Sequence, residues 1–253
     1  MLNKRLIPIL SIKDKSLVKT ENFNIPRYVG DPINAVKIFN EKFVDEILLI
    51  DIGASKNNFS PNFNLIEKIS NECFVPLTYG GGISCFEDVK KIFRLGIEKI
   101  SLQNILFKKE NLVTEIKETY GSQSIVASID IKKNIFGKYQ IFDYINNSLR
   151  KNLDLVYFIE NLVKLGVGEV LINNVTNDGR MNGLDQNIIK LLSGKFDIPI
   201  IFCGGLSNLK NIKTSYGNGA TAIAAGAFFV FYGPHKAVLI NYPSKKELEK
   251  LYE

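Results

Sequence analysis

Pro76-Leu77-Thr78-Tyr79-Gly80-Gly81-Gly82-Ile83-Ser84 recurs further along the chain as Pro199-Ile200-Ile201-Phe202-Cys203-Gly204-Gly205-Leu206-Ser207, 123 residues on from Gly82 to Gly205. Each copy reads as a short apolar strand, a Gly-Gly turn and a helix opened by serine. Three more matches keep the same order. Pro8–Lys13 pairs with Ala127–Lys132, Leu48–Asp51 with Val170–Asn173, and Gly96–Ile100 with Gly219–Ile223. Ordered matches at nearly one spacing describe a duplicated unit, about 1–122 and 123–253, in which neither half closes a sheet alone.

Working outward, eight short runs rich in Ile, Val and Leu stand out: Leu6–Ile12, Glu46–Asp51, Val75–Tyr79, Lys99–Leu102, Ser124–Ile131, Glu169–Asn173, Ile198–Cys203 and Thr221–Ala225. Most lack apolar/polar alternation, as parallel strands buried on both faces do. Helical patterns lie between them. Asp31-Pro32 offers an N-cap and a first-turn proline. Ser84 with Glu87, and Ser244 with Glu247, offer capping boxes. Gly96 and Gly166 sit where helices end. The expectation is α/β: one (β/α)8 TIM barrel over 1–253, built from two fused half-barrel repeats. An open doubly wound sheet is the rival, but no GxGxxG follows the first strand.

Composition narrows the function classes. The chain has 253 residues, 45% hydrophobic and 23% charged, as in a globular protein. No apolar run reaches the ~18 residues of a spanning helix. Three cysteines without a CxxC suggest reduced thiols and a cytoplasmic setting. The single histidine, His235, excludes histidine-rich metal sites and two-histidine mechanisms. No metal and no cofactor is expected. The net charge of +6 is spread without a basic block; solubility is its plain reading, nucleic-acid binding is weakly supported, and an anionic small substrate fits equally well.

Both Gly-Gly pairs fall at strand C-termini, the catalytic face of such a barrel. Glycine lets backbone N–H groups approach a phosphate beside a helix start. A single pair reads equally well as a tight turn. Two in register suggest a ligand with a phosphate at each end.

At these residues the chain resembles a known family. Lys4-Arg5-Leu6-Ile7-Pro8, Val18-Lys19, Gly30-Asp31-Pro32, Tyr79-Gly80-Gly81-Gly82-Ile83, Ser128-Ile129-Asp130 and Asn177-Asp178-Gly179 look like the cyclase subunit of imidazole glycerol phosphate synthase. The resemblance runs from Met1 to about Phe229. It implies a barrel that takes ammonia from a separate glutaminase and uses it to cleave and cyclise a bisphosphorylated ribonucleotide. It implies an acid/base pair on strands one and five. Asp130 fills the second position, but Ser11 stands at the first, where the family has aspartate. A serine hydroxyl does not titrate near neutral pH, and losing one acid/base group typically costs ~10²–10⁴-fold.

By the same resemblance, Lys19 is a substrate-loop lysine. Gly81, Gly82, Gln103 and Asn104 serve one phosphate, and Asp178, Gly179, Gly204, Gly205 and Gly226 the other. Gln103-Asn104 replaces the family's Asn-Thr, and Cys203 a serine. Arg5, Glu46, Lys99 and Glu169 match a charged ring that gates ammonia at the strand N-termini, where the glutaminase docks. Surface ion pairs are the plainer reading of those four.

Tyr28–Val36, Phe39–Lys42 and Leu239–Pro243 resemble a paralogous clade associated with sugar amidation in surface-polysaccharide pathways. That likeness implies ammonia delivery to an ATP-dependent sugar amidotransferase that turns an acetamido into an acetamidino group. The alternatives are a working histidine-pathway cyclase, and the related half-barrel isomerase, which needs both aspartates and no gate.

Overall fold

The computed structural model describes residues 4–252; residues 1–3 and 253, part of the expected span, lie outside it. Eight parallel strands form the barrel: β1 (Arg5–Lys13), β2 (Ile47–Asp51), β3 (Leu77–Gly80), β4 (Lys99–Leu102), β5 (Ile125–Lys133), β6 (Glu169–Asn174), β7 (Ile200–Cys203) and β8 (Ala222–Ala225). Each pairs with the next, and β8 pairs with β1 through Arg5 opposite Ala222, so the sheet closes. β1 and β5 therefore stand across the barrel from one another.

Helices α1 (Pro32–Glu41), α2 (Phe63–Ser70), α3 (Phe86–Arg94), α4 (Glu110–Tyr120), α5 (Leu155–Leu165), α6 (Gln186–Leu192) and α7 (Leu209–Gly217) follow the first seven strands. A short α8 (Ala227–Val230) and a tail helix α9 (Lys245–Tyr252) follow β8. The local causes are visible in α1. The Asp31 side chain accepts from the Asn34 amide, Pro32 takes the first turn, and Pro32, Ala35, Val36 and Phe39 bury one stripe. Gly166 ends α5 in the left-handed region, φ +108°.

Two apolar cores result. The larger lies between sheet and helices. The smaller fills the barrel interior with Ile7, Leu48, Val126, Leu171 and Ile201. Odd positions of β1 and even positions of β2 and β5 point inward, which places Arg5 and Glu46 at the entry end and Ser11 and Asp130 at the exit end.

The two Gly-Gly turns have the same geometry. A Cβ built on Gly81 (φ +113°) would sit 2.4 Å from the Asp51 carbonyl oxygen; on Gly204 (φ +96°) it would sit 2.4 Å from that of Asn174. Only glycine fits either turn. The equivalence corrects the expected match by one residue: Asp51 corresponds to Asn174 rather than Asn173, and Leu48 to Leu171. A slip of one exchanges the inward and outward faces of a strand.

Two helix starts also differ from expectation. α3 begins at Phe86, and Ser84 donates from its amide and hydroxyl to Asp88, at 3.0 Å each, while Glu87 pairs with Lys90. α7 is capped by Asn208, which accepts from Asn211, not by Ser207. The Ser244–Glu247 contact is present, with the serine hydroxyl donating at 2.7 Å. No described helix is long and apolar enough to cross a membrane.

Candidate active site

The strand C-termini and their loops enclose a cavity of about 1040 Å³. Ser11, Lys19, Gly81, Gly82, Gln103, Asn104, Asp130, Asp178 and Gly226 all line it. The β1–α1 segment folds over its mouth as a hairpin, Ser16–Lys19 with Arg27–Gly30. Several contacts hold that segment down. Phe23 meets Tyr144 edge-on at 6.2 Å, the Asn22 amide donates to the Asp178 carbonyl at 3.0 Å, and Gly179 leaves room for the Thr20 carbonyl.

Asp130 is buried on β5 between two amides. Its Oδ1 accepts from Asn173 Nδ2 at 3.1 Å and its Oδ2 accepts from Gln103 Nε2. Burial pushes its pKa up to about 7, against the pull of those two hydrogen bonds. The carboxyl therefore takes up and releases a proton near neutrality, as a general acid or base must. Lys132, two residues on, rests its ammonium 3.6 Å from the centre of the Phe142 ring, and burial lowers its pKa.

Ser11, across the barrel, has no such clamp. Its partner on β2 is Ile50, where Asp130 has Asn173 on β6, and Gly226 follows β8 where Gln103 follows β4. Lys19 runs over Gly226 and ends on Asp178, with Nζ 2.9 and 3.1 Å from the two carboxylate oxygens. Both partners are buried.

The two glycine turns face different surroundings. In the first half the Gly82 amide donates to Ser55 Oγ at 3.1 Å, and Lys109 reaches the Ser84 carbonyl at 3.0 Å. In the second half Gly179, Gly204, Gly205 and Gly226 form a narrow recess against the start of α8. Barrel enzymes place phosphate in that corner, between the loops after strands seven and eight and a short extra helix.

At the opposite mouth Arg5, Glu46, Lys99 and Glu169 meet as a closed ring, not as separate surface pairs. Glu46 Oε2 lies 2.9 Å from Arg5 and 3.0 Å from Lys99. Glu169 Oε1 lies 3.2 Å from Arg5 and 3.0 Å from Lys99. Thr78 adds a hydroxyl bond to Glu46 Oε1 at 2.8 Å. Each charge thus has two opposite partners, which offsets the cost of burial. Around Arg5, burial works against the charge, but the two carboxylates outweigh it and raise the pKa.

Sequence reasoning did not single out Asn173, Thr78, Ser55 or Lys132 as site residues. Inward alternation could have found three of them: Thr78 stands two before Gly80, and Asn173 and Lys132 share the inward face of their strands. Among the described residues no group of three or more His, Cys, Asp or Glu side chains is placed to hold a metal ion.

Comparison with known proteins agrees with this architecture. The model of the family described as "Histidine biosynthesis protein" matches residues 5–235. A protein of Pseudomonas aeruginosa, provisionally named imidazole glycerol phosphate synthase subunit hisF2, is 41% identical over 250 residues, 98% of this chain and 99% of its own. One of Vibrio vulnificus, provisionally named subunit hisF3, is 42% identical over 255 residues, covering 100% and 98%. The imidazole glycerol phosphate synthase subunit HisF of Chloroherpeton thalassium is 34% identical over 232 residues, covering 91% and 92%. Likeness of this extent, end to end, goes beyond a shared fold, and the chain belongs to the histidine biosynthesis protein family as a HisF-like subunit of the imidazole glycerol phosphate synthase type.

Proposed function

We propose that this barrel receives ammonia from a glutaminase at its strand N-terminal face and passes it through the interior to an ATP-dependent amidotransferase acting on a nucleotide sugar or glycan. One contrast carries the reading. The ring Arg5–Glu46–Lys99–Glu169 is complete, while the acid/base pair at the other end is reduced to Asp130 facing Ser11. A chain that keeps the entrance and loses half of the proton-transfer machinery fits conveyance better than cyclisation. The resemblance of Tyr28–Val36 and Leu239–Pro243 to the sugar-amidation clade points to the same acceptor class.

In the coupled reaction, glutamine hydrolysis supplies ammonia. The acceptor's amide oxygen is activated by ATP, the ammonia nitrogen attacks that carbon, and the oxygen leaves on the phosphoryl or adenylyl group. The acetamido group becomes acetamidino. Within this chain, Lys99 and its two glutamates control entry, and the apolar layer of Ile7, Leu48, Val126 and Leu171 favours neutral ammonia over ammonium.

The second reading is a histidine-pathway cyclase. Asp130, with a pKa of about 7, and Lys19 beside the Gly204–Gly226 corner favour it. On that reading Gly81, Gly82 and Asn104 hold one phosphate, and Lys19 with Gly179, Gly204, Gly205 and Gly226 the other, Asp178 acting by holding Lys19. The deciding experiment supplies saturating ammonium salt and the bisphosphorylated ribonucleotide to the purified barrel. No turnover from a folded chain is expected. Clear turnover would make it a cyclase.

A further inference from the structure

The two ends of the barrel differ in charge and in exposed apolar surface. Loops leaving the strands (14–31, 52–62, 81–85, 103–109, 134–154, 175–185, 204–208 and 226–244) hold eleven Lys and Arg against seven Asp and Glu. Loops entering them (42–46, 71–76, 95–98, 121–124, 166–168, 193–199 and 218–221) hold two against five. Among the described residues, nine of the fourteen exposed large hydrophobics lie in the first set and two, Phe43 and Phe74, in the second. The exit rim is thus basic and apolar at once.

Several of the rim residues have no part in the cavity. Ile25 (90% exposed), Ile135 (93%), Phe136 (86%) and Tyr232 (62%) stand clear of its lining. Ile135 and Phe136 are also held in place. They cap the hairpin beyond β5, where the Asn134 side chain accepts from the Phe136 and Lys138 amides at 3.0 Å each and the Gly137 amide closes on the Asn134 carbonyl at 2.9 Å. Apolar side chains presented on an ordered turn lose little entropy on docking.

We propose that this rim is the docking surface for the enzyme that consumes the ammonia, and that the partner meets it with an acidic face carrying apolar pockets for Ile135 and Phe136. The proposal rests on the conveyance reading above. Charge selects the occupant: a second copy set rim to rim would bring two basic surfaces together, whereas an acidic partner is attracted. Conveyance also needs a sealed exit, because ammonia released into water at neutral pH becomes ammonium.

The test uses the whole chain with its glutaminase and the ATP-dependent sugar amidotransferase of the same genome. Ile135→Asp combined with Phe136→Asp changes only solvent-facing side chains. Glutamine-driven amidation and amidotransferase binding are expected to fall at least tenfold in the variant. Its ammonium-driven amidation, glutaminase binding and thermal unfolding are expected to stay unchanged. Binding of the wild-type chain is expected to weaken as salt rises. A variant that couples as well as wild type would overturn the docking surface and leave conveyance standing. A wild-type chain that neither binds nor couples would overturn conveyance, and the surface with it. Sedimentation showing the free chain pairing with itself through this rim, lost in the variant, would assign the surface to a second copy and overturn the proposal.

Discussion

The two halves of the barrel share their turns and differ at their centres. Gly81 and Gly204 approach the carbonyls of Asp51 and Asn174 at the same distance, and Gly82 and Gly205 are similarly crowded by the carbonyls of Phe59 and Gly183. Ser11 and Asp130 occupy the same inward place on β1 and β5. Yet Asp130 is gripped by Gln103 and Asn173, whereas Ser11 has Ile50 as its strand partner. The two share backbone geometry and differ in the groups at their centres. Matching turns therefore do not require matching chemistry: a serine at one centre and a carboxyl at the other leave the two turns alike.

The sharpest way to break the equivalence is to alter both turns. Gly81→Ala and Gly204→Ala each force a side chain onto a positive φ and onto a carbonyl 2.4 Å away. Each is expected to cost more than about 3 kcal/mol in urea unfolding, and the two by similar amounts. A large cost at one and a small cost at the other would mean that the turns are held by different packing.

The ring supplies the next comparison, since Glu46 and Glu169 each pair with both Arg5 and Lys99. Glu46→Ala removes a partner from Arg5 and from Lys99 and orphans the Thr78 hydroxyl; Glu169→Ala removes only the first two. Costs of about 3 kcal/mol or more are expected, the larger at Glu46. Lys99→Ala opens the ring. It should reduce coupling between glutamine hydrolysis and ammonia use, with the fold retained by circular dichroism.

Much of this could be read in the sequence, and the misses have physical causes. Lys99–Leu102 was placed end to end, but the runs from Val75 and Ile198 begin two residues early. Pro76 and Pro199 explain this. Each accepts a strand hydrogen bond through its carbonyl but has no N–H to give, so regular pairing starts after it. The β2–β6 match slipped by one because runs buried on both faces carry no alternation to fix register. The ring residues were placed by resemblance, and only the closed barrel shows them sharing partners. The clamp on Asp130 draws on β5, β6 and the residue that follows β4, which no local spacing brings together.

Titration sharpens the contrast between the centres. Asp130 keeps its proton to about pH 7 when folded but loses it near 3.8 when unfolded. Between those values the folded state binds more protons, so stability is greatest below the unfolded pKa and declines as pH rises through 7. From pH 5 to pH 8 this carboxyl should remove roughly 2–3 kcal/mol. Asp130→Asn should flatten that part of the pH profile in urea melts. An unchanged slope would mean that another group carries it.

The smallest effect is expected at Ser11. Ser11→Ala should shift stability by less than about 1 kcal/mol, because its strand partner is Ile50 rather than the amide that grips Asp130. Ser11→Asp is the informative change. The new carboxylate would arise without the flanking amides that grip Asp130, in a cavity that Lys19 also lines. It would be a further carboxylate in the cavity where Asp178 already holds Lys19. Two carboxyls in such unlike surroundings do not restore the lost pair, so ammonium-dependent turnover of the bisphosphorylated ribonucleotide should rise by less than tenfold. A larger rise would show that the rest of a cyclase centre is intact in this chain, and that the single serine on β1 is what separates the two halves in function.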